Sequence, residues 1–132
     1  ITRSLLEVCR KFKNPAGIIT KNQLILRDID ILKDLAKENL IFVNITITTL
    51  KEDLRRQLEP RTSSCGNRLK TIEKLAEAGI PVGVMIGPII PGLTDSEIPD
   101  IMNAAADAGA QTANYTMVRL NGARDKIFTD WI

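Results

Sequence analysis

Six residues that could bind a ligand stand where apolar runs of this sequence end. They are Thr20, Lys21, Thr46, Thr48, Gly87 and Pro88. A lysine at a strand end can hold a carboxylate or a phosphate, a threonine hydroxyl can bind a polar group, and a glycine lets a ligand approach the backbone. Each of these residues also has a structural explanation, as a solvated strand end or as part of a turn. The pattern therefore predicts a ligand site without fixing its reaction.

The elements that position these residues alternate along the chain. Apolar runs predict strands over 17–20, 41–48, 82–86 and 112–118, and helical patterns separate them. A strand-then-helix repeat builds a parallel sheet, and ligands bind at the carboxyl ends of its strands. The sequence thus predicts one α/β domain over 1–132. It is either a small open sheet or part of a barrel, because a full eight-unit barrel needs about 250 residues.

The composition excludes several classes of site. The chain has no histidine, which rules out Ser-His-Asp and Cys-His catalysis and most zinc sites within it. Cys9 and Cys65 are far apart in sequence, so we expect neither a metal motif nor a disulfide, and a cytoplasmic location. The net charge of +2 gives no strong signal for nucleic acid binding. No apolar stretch is long enough to span a bilayer.

Longer stretches resemble the radical S-adenosylmethionine (radical SAM) superfamily, and within it the subgroup similar to spore photoproduct lyase, often described as DNA repair photolyase-like. The matching segments occur in order over 17–22, 45–50, 58–61, 68–85 and 88–95, and the Pro-Ile-Ile-Pro-Gly run at 88–92 is fairly specific. The resemblance implies a partial TIM-like (βα) barrel, of which this chain would form strands three to six with their outer helices.

The resemblance also implies roles for individual residues. Lys21 would bind the carboxylate of S-adenosylmethionine, and the hydroxyl of Thr46 would lie near the same group, with Thr48 on the same strand face. Met85 to Pro88, a range that includes Gly87, would border the methionine and the ribose. Val118 and Arg119, at the last strand end, would lie near the adenine.

One motif of that family does not occur in this sequence. The C-x3-C-x2-C loop that holds a [4Fe–4S] cluster is missing, and two remote cysteines cannot replace it. We therefore expect the whole protein to use S-adenosylmethionine and a cluster, and this chain alone to be inactive and to bind neither tightly. The first residue is Ile1 and lies inside a helical pattern, which predicts a piece of a longer protein.

The sequence leaves other functions open. Lys21 could form a Schiff base in a small-molecule enzyme, or the chain could be a non-catalytic α/β binding or assembly module. Binding of DNA by the whole protein rests on analogy alone. An exposed barrel edge or inner face predicts that the chain associates with itself.

Overall fold

The computed structural model describes residues 1–131 and contains four strands and six α-helices. The strands are β1 (Ala16–Thr20), β2 (Ile41–Ile47), β3 (Val82–Ile89) and β4 (Thr112–Met117). The helices are α1 (Thr2–Phe12), α2 (Ile29–Lys37), α3 (Glu52–Leu58), α4 (Cys65–Glu77), α5 (Ile98–Ala108) and α6 (Ala123–Trp131). Short 3-10 turns cover Gln23–Asp28 and Asp95–Glu97.

The four strands form one parallel sheet in the order β1-β2-β3-β4. Ile45 of β2 lies opposite Thr20 of β1 on one side and Val84 of β3 on the other. Neighbouring strands are joined through helices, as a parallel arrangement requires. The predicted α/β fold, with about four parallel strands and outer helices in part of a TIM-like barrel, is confirmed.

The alternation of β2 decides which face of the sheet the helices cover. Val43, Ile45 and Ile47 are at most 1% exposed and share one core with Leu35 of α2 and Ile72 of α4. Burying each such side chain stabilises the fold by about 1.5–3 kcal/mol. Asn44 and Thr46 therefore lie on the opposite face, which would face the interior of a barrel.

Two glycines end helices, as expected where a glycine follows a helical pattern. Gly79 and Gly109 have φ of 76° and 108°, a left-handed geometry that suits glycine. The next residues, Ile80 and Ala110, donate their N–H groups back to the carbonyls of Leu75 and Ala105. These caps turn the chain into β3 and β4.

Strand β3 is longer than predicted. We expected it to end at Ile86 and expected a turn at Gly87 and Pro88, but both residues lie inside the strand. The prediction was wrong because pairing with β4 continues after a register shift, with Ile89 opposite Met117. Glycine and proline favour turns locally, and here the neighbouring strand keeps the backbone extended.

The apolar side chains of β2 and β3 are buried, and the exposed apolar groups lie elsewhere. Ile45, Ile47, Val84 and Ile86 are at most 3% exposed because the helices cover them. The exposed apolar groups include Leu5, Val8 and Phe12 on α1 and Tyr115 and Met117 on β4. Among residues 1–131, no helix has the length and apolar character needed to cross a membrane.

Candidate functional site

The lysine that follows β1 meets a carboxylate from the loop after α3. The Lys21 ammonium forms an ion pair with Oε1 of Glu59, the first residue after α3. The Lys21 side chain is 35% exposed, whereas that of Glu59 is only 9% exposed. An ammonium has three N–H donors, and Glu59 takes one of them. Lys21 therefore reaches solvent with donors left for a ligand.

Glu59 is fully occupied by protein groups. Its Oε1 also accepts a hydrogen bond from the Thr48 hydroxyl at 2.8 Å, and its Oε2 accepts one from the Arg68 guanidinium at 2.7 Å. Burial alone would raise the pKa of Glu59, but the hydrogen bonds from Lys21, Arg68 and Thr48 outweigh it and hold that pKa below its ordinary value. Glu59 is therefore ionised at neutral pH.

Arg68 of α4 is the buried cation of this site. It is 2% exposed, and its donors bind the carbonyl oxygens of Ser63 and Thr46, both at 2.9 Å, as well as Glu59. Arg68 also donates to the Thr62 hydroxyl. A guanidinium can satisfy this many acceptors because its donors form a fixed planar fork. Arg68 thus ties the loop after α3 to the end of β2.

Thr48 joins the ends of two strands. Its hydroxyl lies 2.8 Å from the carbonyl oxygen of Gly87 in β3, as well as near Glu59. We refer to Lys21, Thr48, Glu59 and Arg68 together as the strand-end cluster. It contains two cations and one carboxylate, so it carries a net charge of one positive unit.

Thr116 of β4 fills the space beside Gly87 where a side chain would lie. A Cβ atom built on Gly87 would lie 2.6 Å from the hydroxyl oxygen and 2.8 Å from the carbonyl oxygen of Thr116 in β4. The close approach that we predicted for a ligand is therefore made by the neighbouring strand. Pro88 follows and is half-buried.

The remaining predicted residues lie at the same end of the sheet. The backbone N–H of Val118 donates to the carbonyl of Ile89 at 2.9 Å, just after β4, and the next residue, Arg119, is exposed. Thr46 is 5% exposed. The Thr20 hydroxyl accepts from the N–H of Asn22 at 3.2 Å and so belongs to a turn.

Comparison with known proteins identifies the family. The sequence profile of the Radical SAM superfamily matches residues 2–105. This chain belongs to the radical SAM superfamily. An uncharacterised protein of Mycobacterium tuberculosis is 28% identical over 120 residues, which are 89% of this chain and 35% of that protein. An uncharacterised protein of Methanocaldococcus jannaschii is 36% identical over 97 residues, 74% of this chain and 36% of that protein.

A solved structure shares the fold of this radical SAM chain. The crystal structure of Streptococcus suis SuiB bound to S-adenosylmethionine superposes with a TM-score of 0.65 at 19% identity, over 98% of this chain and 31% of that protein. This chain thus spans about a third of the length of the proteins to which it is similar.

The residues of this radical SAM chain do not fit an iron–sulfur cluster. Within residues 1–131, no three His, Cys, Asp or Glu side chains come together as a metal site. Cys65 is buried and donates to the carbonyl of Thr49 at 3.1 Å. Burial and, to a smaller extent, the neighbouring Glu52 raise the pKa of Cys65 to about 11, so its thiol is protonated at neutral pH.

Sequence reasoning missed two residues of the strand-end cluster. They are Glu59 and Arg68, whose side chains are 9% and 2% exposed, whereas Arg61 of the same loop as Glu59 is exposed. A signal for Arg68 existed: it lies four residues before Ile72 and seven before Leu75, on the buried face of α4. Glu59 lies in the run at 58–61 that resembles the family, but nothing in that run indicates a contact with Lys21.

Proposed function

We propose that this chain supplies the part of a radical SAM enzyme that holds the carboxylate of S-adenosylmethionine. The observation that carries the proposal is the position and partial exposure of the Lys21 ammonium. Its ammonium lies at the carboxyl end of a parallel strand, is partly exposed and has unused donors. The surrounding cluster has a net positive charge, which favours one carboxylate. That a protein with this fold, SuiB, has been crystallised with S-adenosylmethionine supports the choice of ligand.

In this proposal, some of the other predicted site residues contact the ligand, and the rest support the residues that do. Thr46, Pro88, Val118 and Arg119 would line the site, the last two near the adenine. Thr48 and Gly87 would act through the protein, because the single hydrogen of the Thr48 hydroxyl is shared between Glu59 and the Gly87 carbonyl.

The ion pair argues against a nucleophilic role for Lys21. Formation of a Schiff base requires the lone pair of a neutral amine. In the structure the ammonium is paired with the ionised carboxylate of Glu59. We therefore favour binding of an anionic group over covalent catalysis at this lysine.

The finer assignment rests on sequence motifs. We propose that the whole protein belongs to the subgroup similar to spore photoproduct lyase and DNA repair photolyase, because of the Thr-Lys pair at 20–21, the Leu-Glu-Pro-Arg run at 58–61 and the Pro-Ile-Ile-Pro-Gly run at 88–92. The ligands of its [4Fe–4S] cluster would then lie outside these residues. A lesion in DNA is the substrate class that this subgroup suggests.

The test is equilibrium binding of S-adenosylmethionine to the full-length protein after cluster reconstitution. We expect Lys21→Ala to weaken binding by roughly 10- to 150-fold, since a hydrogen bond to a charged group contributes about 1.5–3 kcal/mol. Lys37→Ala is the matched control, because Lys37 is 75% exposed and lies in α2, outside the strand-end cluster.

Two results would contradict the proposal. Equal affinity in the wild type and Lys21→Ala would show that Lys21 does not contact the ligand. Failure of the reconstituted wild type to bind S-adenosylmethionine would favour the non-catalytic binding or assembly module instead.

A further inference from the structure

We propose that Glu59 is a positioning residue: it holds the Lys21 ammonium at the strand ends in the orientation that a ligand carboxylate requires. This inference rests on the proposed function, in which Lys21 meets the carboxylate of S-adenosylmethionine. It assigns to Glu59 a role in ligand recognition that does not involve contact with the ligand.

Glu59 is not itself a ligand contact. One of its oxygens accepts from Lys21 and Thr48, and the other accepts from Arg68. Its side chain is 9% exposed, so a ligand cannot reach it without breaking the cluster. Glu59 can instead influence the position of the Lys21 ammonium. Within the cluster, Lys21 is the charged residue whose side chain is substantially exposed.

Lysine needs such an anchor more than most side chains. Its four-carbon stem is flexible, and ordering it costs rotamer entropy. A contact that orders the stem before the ligand arrives removes this cost from binding. The backbone of Lys21 is also held, because its carbonyl accepts from the N–H of Ser63 at 3.3 Å. The loop after α3 thus fixes Lys21 at both ends.

The anchor is itself rigid. Arg55 of α3 is 7% exposed and donates to the carbonyl oxygens of Glu59 and Thr62, both at 3.0 Å. Arg68 of α4 holds the Glu59 carboxylate from the other side at 2.7 Å. Two helices therefore fix the position of Glu59, and through Glu59 the position of Lys21.

The opposite effect would be competition, in which Glu59 neutralises Lys21 and repels a ligand carboxylate. The charges of the cluster argue against it. Glu59 carries one negative charge against the two positive charges of Arg68 and Lys21, so the cluster keeps one positive charge. Of the two cations, Arg68 is 2% exposed and Lys21 is 35% exposed, so a ligand can reach only Lys21. Positioning predicts that removal of Glu59 weakens carboxylate binding, whereas competition predicts that it strengthens binding, so the sign of the effect decides.

The experiment compares two ligands on the full-length, cluster-reconstituted protein: S-adenosylmethionine and its decarboxylated analogue. The ratio of their dissociation constants isolates the contribution of the ligand carboxylate, and a general loss of structure lowers both affinities together. The variants are Lys21→Ala, Glu59→Gln, which keeps the length of the side chain, and Glu59→Asp, which keeps its charge but withdraws it by one carbon.

We expect the wild type to prefer S-adenosylmethionine to its decarboxylated analogue. Lys21→Ala should reduce this preference by about tenfold or more. Both Glu59 variants should reduce it by at least about threefold, a size that is typical of coupled neighbouring groups. Glu97→Gln is the control. Glu97 is another buried carboxylate near the strand ends, 7% exposed, that accepts from the Thr49 hydroxyl at 2.7 Å and the Leu50 N–H at 2.9 Å. It should lower the melting temperature and leave the preference unchanged.

The outcomes separate the two proposals. A wild-type preference no larger than that of Lys21→Ala would overturn the proposed function and this inference with it. A preference that falls in Lys21→Ala but is unchanged or larger in both Glu59 variants would overturn the positioning role alone. If Glu59→Gln does not fold, Glu59→Asp and Thr48→Val decide. Thr48→Val removes the hydroxyl that contacts Glu59 and the Gly87 carbonyl without changing any charge, and it should reduce the preference by a smaller factor.

Discussion

Replacement of Arg68 by methionine tests the strand-end cluster as a part of the fold. Methionine is unbranched and flexible, so it can fill the space of the arginine stem. The substitution removes the buried guanidinium and its hydrogen bonds to the carbonyls of Ser63 and Thr46 and to Glu59. It leaves Glu59, whose side chain is 9% exposed, with Lys21 as its remaining cation.

The expected cost follows from what remains after the substitution. Removal of one partner of a buried ion pair destabilises a protein by about 3–5 kcal/mol. Because Lys21 still pairs with Glu59, we expect the lower end, about 3 kcal/mol. For a chain of 132 residues, each kcal/mol shifts the melting temperature by roughly 3–5 °C, so the melting temperature should fall by roughly 10–15 °C.

The assay is urea and thermal unfolding followed by circular dichroism. Arg56→Met is the matched control, because the Arg56 side chain is 68% exposed and its nearest carboxylate oxygens lie 3.7 and 3.9 Å away, in Glu52 and Asp53. Such surface pairs contribute about 0–1 kcal/mol. An Arg68→Met variant whose free energy of unfolding lies within about 1 kcal/mol of the wild type would refute the importance of this buried cation.

Further predictions address other parts of the chain. Gly87→Ala should destabilise the chain by more than about 1 kcal/mol, because the new Cβ would meet the backbone of β4. Gly17→Ala should be nearly neutral, since nothing lies within 4 Å of a Cβ built there, and thermal unfolding compares the two variants. The lowered pKa of Glu59 stabilises the fold above the unfolded-state pKa of about 4.3, so the free energy of unfolding should fall as the pH drops below that value. Glu59→Gln should make this fall less steep. Acid titration would contradict the prediction if the stability curves of the wild type and Glu59→Gln coincide. A thiol reagent should label the half-buried Cys9 before Cys65, which is buried with a raised pKa; equal rates would refute the assignment. We also propose that the chain self-associates through its sheet edges and exposed apolar faces; light scattering should give a mass above 14.6 kDa, and a monomer at high concentration would contradict this.

Local sequence was sufficient to predict most of the fold. Apolar runs such as 41–48 gave the strands, and Gly79 and Gly109 marked helix ends, because both signals arise from residues that are close in sequence. The end of β3 was mispredicted for the converse reason. Gly87 and Pro88 are turn residues by local preference, and only pairing with β4, more than twenty residues later, keeps them in a strand.

In the strand-end cluster, too, features set by nearby residues could be predicted and contacts between distant residues could not. Lys21 could be singled out because a lysine that follows an apolar run stands at a strand end. Its partner could not, since the contact between Lys21 and Glu59 joins residues 38 apart in sequence. Arg68 reaches Thr46 across 22 residues. Contacts of this kind depend on how helices pack over a sheet, which the periodicity of one segment does not specify.

A strand-end position consequently predicts where a residue lies better than it predicts what the residue contacts. Thr48 and Gly87 lie where topology requires, at the carboxyl end of the sheet, yet the groups that meet them are Glu59, Thr116 and each other. Lys21 differs because its side chain is partly exposed, its ammonium has unused donors, and it belongs to a cluster with a net positive charge. Protein groups satisfy its neighbours and leave this one cation able to bind an anion, which is why the proposals for ligand binding concentrate on Lys21.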